Sequence, residues 1–356
     1  MAECPLGRVL FIINPASQNG KGVEAGAVAI AYMEELLHQE CVTVETTNGP
    51  KHASDIAAEA CEFDTVVALG GDGIVHETVQ GLMRIPRENR PTFGLIPVGS
   101  GNDFAKSLDI SKDVPHAVKQ LVEAKRTPID IGRCNDGYFA ETLSFGLDAA
   151  IARDTMERRK RTGRTGTIMY LEAGLYQLTH HLDIYPYHVR YDDGPMEAGI
   201  CYLYAIQNGP SYGGGFDICP GAVMTDGFFD IAYAMPPLKT WKAALIFMMA
   251  KDGHHTKFKN MRFAKARKIS IEFDNPVPVH ERFDAVQRDQ RVGFVPVCDA
   301  GPVPREGLQG VGPRDHLLPS RAPHRPGRAA LHGIRPSGPH PPVVDVGRCG
   351  IRRLAV

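Results

Sequence analysis

Val66-Val67-Ala68-Leu69-Gly70-Gly71-Asp72-Gly73-Ile74-Val75-His76-Glu77 carries four apolar residues of a buried strand straight into Gly-Gly-Asp-Gly, with a helical pattern behind. Successive glycines at a strand end let the backbone turn sharply, approach a ligand closely and aim several N–H groups at one spot. The helix start adds positive partial charge, so the guest that suits this loop is a phosphate. Asp72 repels phosphate, and its presence makes sense as the holder of a magnesium ion, a bridging water or the loop itself. Taken alone, the stretch equally fits a tight strand-to-helix turn in any α/β protein.

Two further stretches repeat the theme. Gly94-Leu95-Ile96-Pro97-Val98-Gly99-Ser100-Gly101-Asn102-Asp103-Phe104-Ala105 is again strand, small residues and helix start, with N-cap residue types at Ser100 and Asn102 and a first-turn carboxylate at Asp103. Val9-Leu10-Phe11-Ile12-Ile13 leads into Asn14-Pro15-Ala16-Ser17-Gln18-Asn19-Gly20-Lys21-Gly22. This is not the P-loop of the NTPases, because Gly22 stands at the Ser/Thr position and the first glycine is missing. Three such loops at successive strand ends converge on one edge of a parallel sheet, where ligands of open α/β folds sit.

Outward from these loops, residues 7 to about 125 alternate strands near 8–13, 42–46, 64–69 and 92–97 with helices near 22–39, 52–62, 74–84 and 114–124. From about 126 the texture becomes alternating and turn-rich, as in Tyr187-His188-Val189-Arg190-Tyr191, which suits antiparallel strands. Helical inserts are predicted near 166–180 and 238–252. The basic stretch Arg153 to Arg164 reads either as a solvated helix face or as a contact for anionic lipid headgroups.

A formal net charge of −1 over 356 residues argues against wholesale nucleic-acid binding. No apolar run approaches the ~20 residues of a membrane span, and the longest, Ala243 to Ala250, reads as a core helix segment. The N-terminus runs directly into a strand, so no signal peptide is read. Eight unpaired-spaced cysteines suggest buried thiols in a reducing compartment.

The order Asn-Pro-x-Ser with Gly-Lys-Gly behind it, Gly-Gly-Asp-Gly, then Pro97 to Asn102-Asp103-Phe104-Ala105 resembles the diacylglycerol kinase catalytic domain family, in its bacterial soluble lipid kinase type, related to sphingosine and ceramide kinases. Ser144 to Asp148, Asn208 to Gly215 and Pro220 to Asp230 continue the likeness, which covers roughly residues 7 to 285. The Gly-Gly-Asp-Gly element alone would also admit NAD kinases and phosphofructokinases. The resemblance implies an α/β plus all-β chain: a Rossmann-like parallel-sheet domain (1–125), a β-sandwich lipid-substrate domain (126–300) and an active site in the cleft between them. It further implies ATP and Mg2+, a lipid hydroxyl as acceptor, and a cytoplasmic enzyme peripheral to the membrane. The alternatives are a catalytically impaired relative and a kinase of a soluble substrate such as NAD.

Phosphoryl transfer needs a held γ-phosphate, a divalent ion to absorb charge and a base near the attacking hydroxyl. Gly70, Gly71, Gly73 and Ser100 would cradle the phosphates, with Lys21 approaching them. Asp72 and Asp103 would reach magnesium, and the family places a nucleotide-contacting threonine at Thr47. Asn102 and Glu77 would brace the loops. Ile74 departs from the family's threonine and removes a hydroxyl worth roughly 1 kcal/mol of binding. The resemblance assigns a structural magnesium to Asp226, with the carbonyls of Val223 and Phe228, and the general base to Glu281. The Asp-Gly that the family sets before that glutamate is absent here.

From Gly301 to Val356 there are ten prolines, nine glycines and nine arginines, against three acidic residues, no lysine and no aromatic ring of Phe, Tyr or Trp. That composition predicts a disordered tail. With the family's closing strand missing, we read the tail as an out-of-frame translation beginning after Ala285; the alternative is a basic extension that binds anionic membrane.

Overall fold

The structure, a computed structural model, describes residues 4–18, 20–37, 41–135, 137–164, 166–280 and 352–355. Four apolar runs form β1 (Val9–Ile13), β2 (Val42–Thr46), β3 (Thr65–Gly70) and β4 (Thr92–Pro97), all parallel in the order β2-β1-β3-β4. Every residue of β1 and β3 is buried, as expected of strands covered on both faces. The edge strand β2 carries polar Thr43, Glu45 and Thr46 in exposed positions, which blunts its open side.

The connecting helices are α1 (Lys21–Leu36), α2 (His52–Ala58), α3 (Asp72–Leu82), α4 (Asp103–Ser107) and α5 (Val114–Glu123). Period-two alternation decides which helix each strand residue meets. Val67 and Leu69 join Met33 and Val118 under α1 and α5, while Val66 and Ala68 join Ala53 and Val79 under α2 and α3. The predicted strands match within a residue. The predicted helix 52–62 divides into α2 and a 3-10 turn at Ala60–Glu62. Because β1 leads to β2 on one side and the chain returns to β3 on the other, the strand order reverses between β1 and β3. That reversal opens a crevice at their carboxyl ends.

The second half supplies β5 (Pro128–Cys134), β6 (Gly137–Phe139), β7 (Thr142–Gly146), α6 (Leu147–Thr162), α7 (Thr167–His180), β8 (Tyr185–Tyr191), β9 (Glu197–Cys201) and β10 (Leu203–Gln207). The short pair β11 (Ser211–Tyr212) and β12 (Phe216–Asp217) follows, then β13 (Phe229–Ala234), α8 (Thr240–Met249), β14 (Met261–Ala266), β15 (Ile269–Phe273) and β16 (Val279–His280). An antiparallel sheet ordered β14-β13-β10-β7-β16 faces the sheet β15-β8-β9. Phe145, Ile206 and Ile231 from the first meet Val189, Ile269 and Ile271 from the second, and the hydroxyls of Tyr191 and Tyr204 bond at 2.6 Å. This is the predicted sandwich. On the other face of the five-stranded sheet, Ala205 and Ala232 pack against α6, α7 and α8 through Ile151, Ala173 and Ala243.

Three expectations are corrected. The inserts are three helices rather than two: α6 has a buried Leu147–Ile151–Thr155 stripe at four-residue spacing, which the charged residues around it obscure in the sequence. The segment Ala243–Ala250 is not wholly core, since Ala243 and Ile246 are buried but Leu245 and Met248 face outward. The closing strand is present: β17 (Arg352–Ala355) pairs antiparallel with β5, in register Arg352–Ile131 to Ala355–Pro128. The reason is the open edge of β5, which offers a row of backbone donors and acceptors that a strand of almost any composition satisfies. The rest of the tail expectation, over 301–351 and at Val356, and the base assigned to Glu281 lie outside the described residues.

Gly174 of α7 sits against the Phe247 ring of α8, where a Cβ would come within 2.2 Å of Cζ. Gly174→Val is expected to lower the unfolding free energy by about 1–3 kcal/mol through forced separation of the two helices. Urea melts read this, and an unchanged midpoint would contradict it.

Candidate active site

The two glycine loops meet backbone to backbone. A Cβ on Gly71 would come 2.9 Å from the Gly99 Cα, and one on Gly99 would come 2.3 Å from the Gly71 Cα. Only a pair of glycines allows that approach. Asp72 begins α3, and its carboxylate reaches into the second loop: Oδ2 accepts the Asn102 N–H and Oδ1 the Asp103 N–H, each at 3.0 Å. These are two of the orphan donors at the start of α4, so the cap comes from a neighbouring helix. Asn102 is left-handed (φ 56°) and closes its own loop instead, with Oδ1 accepting from Gly99 N–H and Nδ2 donating to Gly99 O, both at 2.8 Å. The first loop joins through Gln18, whose Nε2 donates to Gly99 O at 2.8 Å.

Asp103 carries the link to the second half. Its Oδ2 accepts the Gly214 N–H at 2.8 Å across 111 residues of chain. Gly213, Gly214 and Gly215 hold φ values of 66°, 85° and 98°, a run of left-handed backbone open only to glycine. Lys251 ties the run down, donating from Nζ to the carbonyls of Gly214 and Gly215. Burial and the neighbouring Asp72 charge push the Asp103 carboxyl up to about 6. Its Oδ1 is buried without a hydrogen-bond partner.

Between these elements lies a cleft of about 330 Å³. Gly71, Asp72, Gly73, Ser100 and Asp103 line it, as does the departing residue Ile74, whose side chain is otherwise buried in the core. Lys21, Thr47, Gly70 and Asn102 are not part of the lining. Lys21 is exposed at the start of α1, and Thr47 is buried at the end of β2 with its N–H on Ile13 O at 2.9 Å. Asn102 therefore braces the loop, and Gly70 opens the turn.

The sequence reading passed over Glu141, in the turn between β6 and β7. It lines the cleft with its carboxylate fully buried near Ser107, and a Cβ on Gly209 would come 2.0 Å from Oε2. Burial, with the Asp103 and Asp72 charges adding to it, holds its carboxyl well above the usual carboxylate range. Nothing local in Ala140-Glu141-Thr142 signals this, because its neighbours come from residues 103 and 209. Asp148, inside a quoted motif but given no role, accepts from Ser144 Oγ and from the Tyr170 hydroxyl, both at 2.5 Å.

The donors suit magnesium at the cleft. The free Asp103 Oδ1 and the buried Glu141 carboxylate are hard ligands, and among the described residues no three acidic, His or Cys side chains converge on one point. Magnesium characteristically takes one or two carboxylates and completes its shell with phosphate oxygens and water. The second expected metal position does not fit. Asp226 Oδ1 accepts the Phe228 N–H at 3.0 Å, and Oδ2 faces the Lys265 ammonium at 2.7 Å, which also lies 3.3 Å from Asp230. The Val223 carbonyl receives the Asp226 N–H. A lysine supplies the positive charge there.

An α/β lobe with glycine loops at its strand ends thus stands against an antiparallel sandwich across an acid-lined cleft. Residues 8–134 match the diacylglycerol kinase catalytic domain, and residues 141–284 match the YegS C-terminal NAD kinase beta sandwich-like domain. The chain is 29% identical over 268 residues to a diacylglycerol kinase of Bacillus subtilis, covering 74% of this chain and 85% of that one. It is 32% identical over 221 residues to a protein of Yersinia enterocolitica named as a probable lipid kinase, YegS-like, covering 60% and 72%. For a diacylglycerol kinase of Staphylococcus epidermidis, at 28% identity, it spans 64% of that protein's length. The crystal structure of a diacylglycerol kinase from Bacillus anthracis superposes with a TM-score of 0.64 at 21% identity, over 81% of this chain and 93% of that one, which shows a shared fold. The chain belongs to the family of bacterial diacylglycerol kinases and YegS-like lipid kinases.

The raised Asp103 carboxyl fixes the sign of a pH effect. Between the unfolded value of 3.8 and about 6 the native state binds the proton more tightly, so its contribution is present at low pH and is lost as pH rises through that window. Without nucleotide or metal, stability is expected to fall by on the order of 2–3 kcal/mol across it. Asp103→Asn, which keeps an acceptor for Gly214, is expected to remove the Asp103 share of that slope and leave that of the buried Glu141 carboxyl in denaturant melts run from pH 4 to 7.

Proposed function

We propose that the protein is an ATP- and Mg2+-dependent lipid kinase that phosphorylates a hydroxyl of diacylglycerol or a related lipid. The observation that carries this is the Asp72 carboxylate holding the Ser100–Asp103 loop against Gly71, which packs two phosphate-binding loops into one cleft. In this reading the backbone N–H groups around Gly71, Gly73 and Ser100 hold the terminal phosphates. Asp103 and Asp72 face the charge that gathers there. Magnesium, when bound, would neutralise charge developing on the transferred group. The acceptor oxygen forms the new bond to phosphorus as the bond to ADP breaks, and its proton passes to a carboxylate base. Glu281 holds that role by resemblance. On this reading the enzyme uses cytoplasmic ATP and meets its acceptor at the membrane surface. No described helix is long and apolar enough to cross a membrane.

The test is transfer of labelled phosphate from ATP to diacylglycerol, monoacylglycerol, ceramide, sphingosine and phosphatidylglycerol in mixed micelles, and to NAD in solution, with and without magnesium and with nucleotide binding measured in parallel. Magnesium-dependent label on one of them is the expected result. Asp72→Ala is expected to reduce it roughly 10²-fold or more by displacing the second loop. Label on NAD instead would mean a soluble acceptor. Nucleotide binding with no transfer to any acceptor would mean an impaired relative.

A further inference from the structure

The outer surface of the helical layer is apolar where water would favour polar groups. On α8, Trp241, Leu245 and Met248 stand at i, i+4 and i+7 and are 65%, 43% and 47% exposed. They lie opposite the Ala243 and Ile246 side that packs on the sheet. On α7, Ile168 and Leu175 are 58% and 40% exposed. The two helices pack on each other through Phe247, which lies against Gly174 and 6.2 Å from the Tyr170 ring. Scattered single apolar residues on a surface need no explanation, but a stripe at helical spacing beside a second apolar face does.

The charge around this surface has one dominant sign. The segment Leu238–Lys259 carries five lysines and one acid, Asp252, in a chain whose net charge is −1; Lys251 is tied to the glycine run and Lys242 to Asn260, which leaves Lys239, Lys257 and Lys259 exposed and outside those bonds. At the end of α6, Lys160 and Arg161 are exposed, whereas Arg158 is tied to Asp154 and stacked on Tyr176, and Arg164 pairs with Glu172. The basic stretch of the sequence thus divides into internal braces and outward charges. The same layer also walls the cleft, through Thr155, Met156 and Arg159 of α6 and Tyr170 of α7.

We propose that the outward face of α7 and α8, centred on Trp241, Leu245 and Met248 and flanked by the lysines, docks on an anionic lipid surface. Apolar side chains enter the headgroup boundary while the basic residues meet anionic headgroups. The proposal rests on the lipid kinase reading for its purpose, because a face beside the cleft delivers a membrane-held acceptor to the mouth. Its test needs neither nucleotide nor acceptor.

Trp241 is the only tryptophan in the chain, so its emission reports this face alone. The full-length protein is mixed with vesicles of phosphatidylcholine, or of phosphatidylcholine with 30 mol% phosphatidylglycerol, and flotation is measured in parallel. The expected result is a blue shift and quenching by brominated lipid on the anionic vesicles only, weakened by salt. Leu245→Glu with Met248→Glu is expected to cut binding at least tenfold while phosphorylation of a short-chain soluble acceptor is unchanged. Emission that stays at the wavelength of a wet indole, with or without flotation, overturns the proposal. A blue shift that grows with protein concentration in the absence of vesicles assigns the face to a second copy and also overturns it. Docking without phosphorylation of any lipid upholds this inference while the kinase reading falls; phosphorylation without docking does the reverse.

Discussion

One carboxylate decides whether this molecule has a site. Asp72 spends both oxygens on the backbone of a loop thirty residues away, so the start of α4 is capped by the start of α3. Everything downstream inherits that bond. It presses Gly99 onto Gly71 and leaves Asp103 facing the second half with one oxygen for Gly214 and one without a partner. A charged acceptor with two backbone donors is among the stronger hydrogen-bonding arrangements available to a protein. It is also one in which a shortened or neutral side chain leaves buried donors unsatisfied.

The acid-lined cleft is a compromise between stability and chemistry. Burying Asp103 and Glu141 near Asp72 raises the carboxyls of both, a cost that a structural site would avoid by pairing them. Perturbed carboxyls gathered in a cleft mark functional positions more often than structural ones. The contrast with Asp226 is instructive, since there a lysine faces one carboxylate oxygen and a backbone N–H the other.

Most of the first half was legible because its signals are local. Fully buried parallel strands read as apolar runs, and the loops at their ends read as glycine with a carboxylate. Even the choice left open for Asp72 narrowed, since holding the loop was among its three expected roles. What stayed hidden depends on contacts far apart in sequence. Glu141 becomes notable only beside Asp103 and Gly209, and Lys265 matters only because β14 pairs with β13 and brings it to Asp226. The strand Arg352–Ala355 was missed for a related reason: composition governs whether a segment builds a core, but an open sheet edge asks only for backbone.

The Asp103–Gly214 bond also bears on how the molecule comes into being on the ribosome. Asp72 can cap α4 as soon as residue 103 has emerged, and the four parallel strands are then complete. The partner of Asp103 lies 111 residues later, roughly 6–22 s at ordinary translation speeds. During that interval the nascent chain holds an assembled sheet whose key carboxylate has no second half to meet. The glycine loops are therefore built early, and the cleft they belong to closes only after Gly214 arrives.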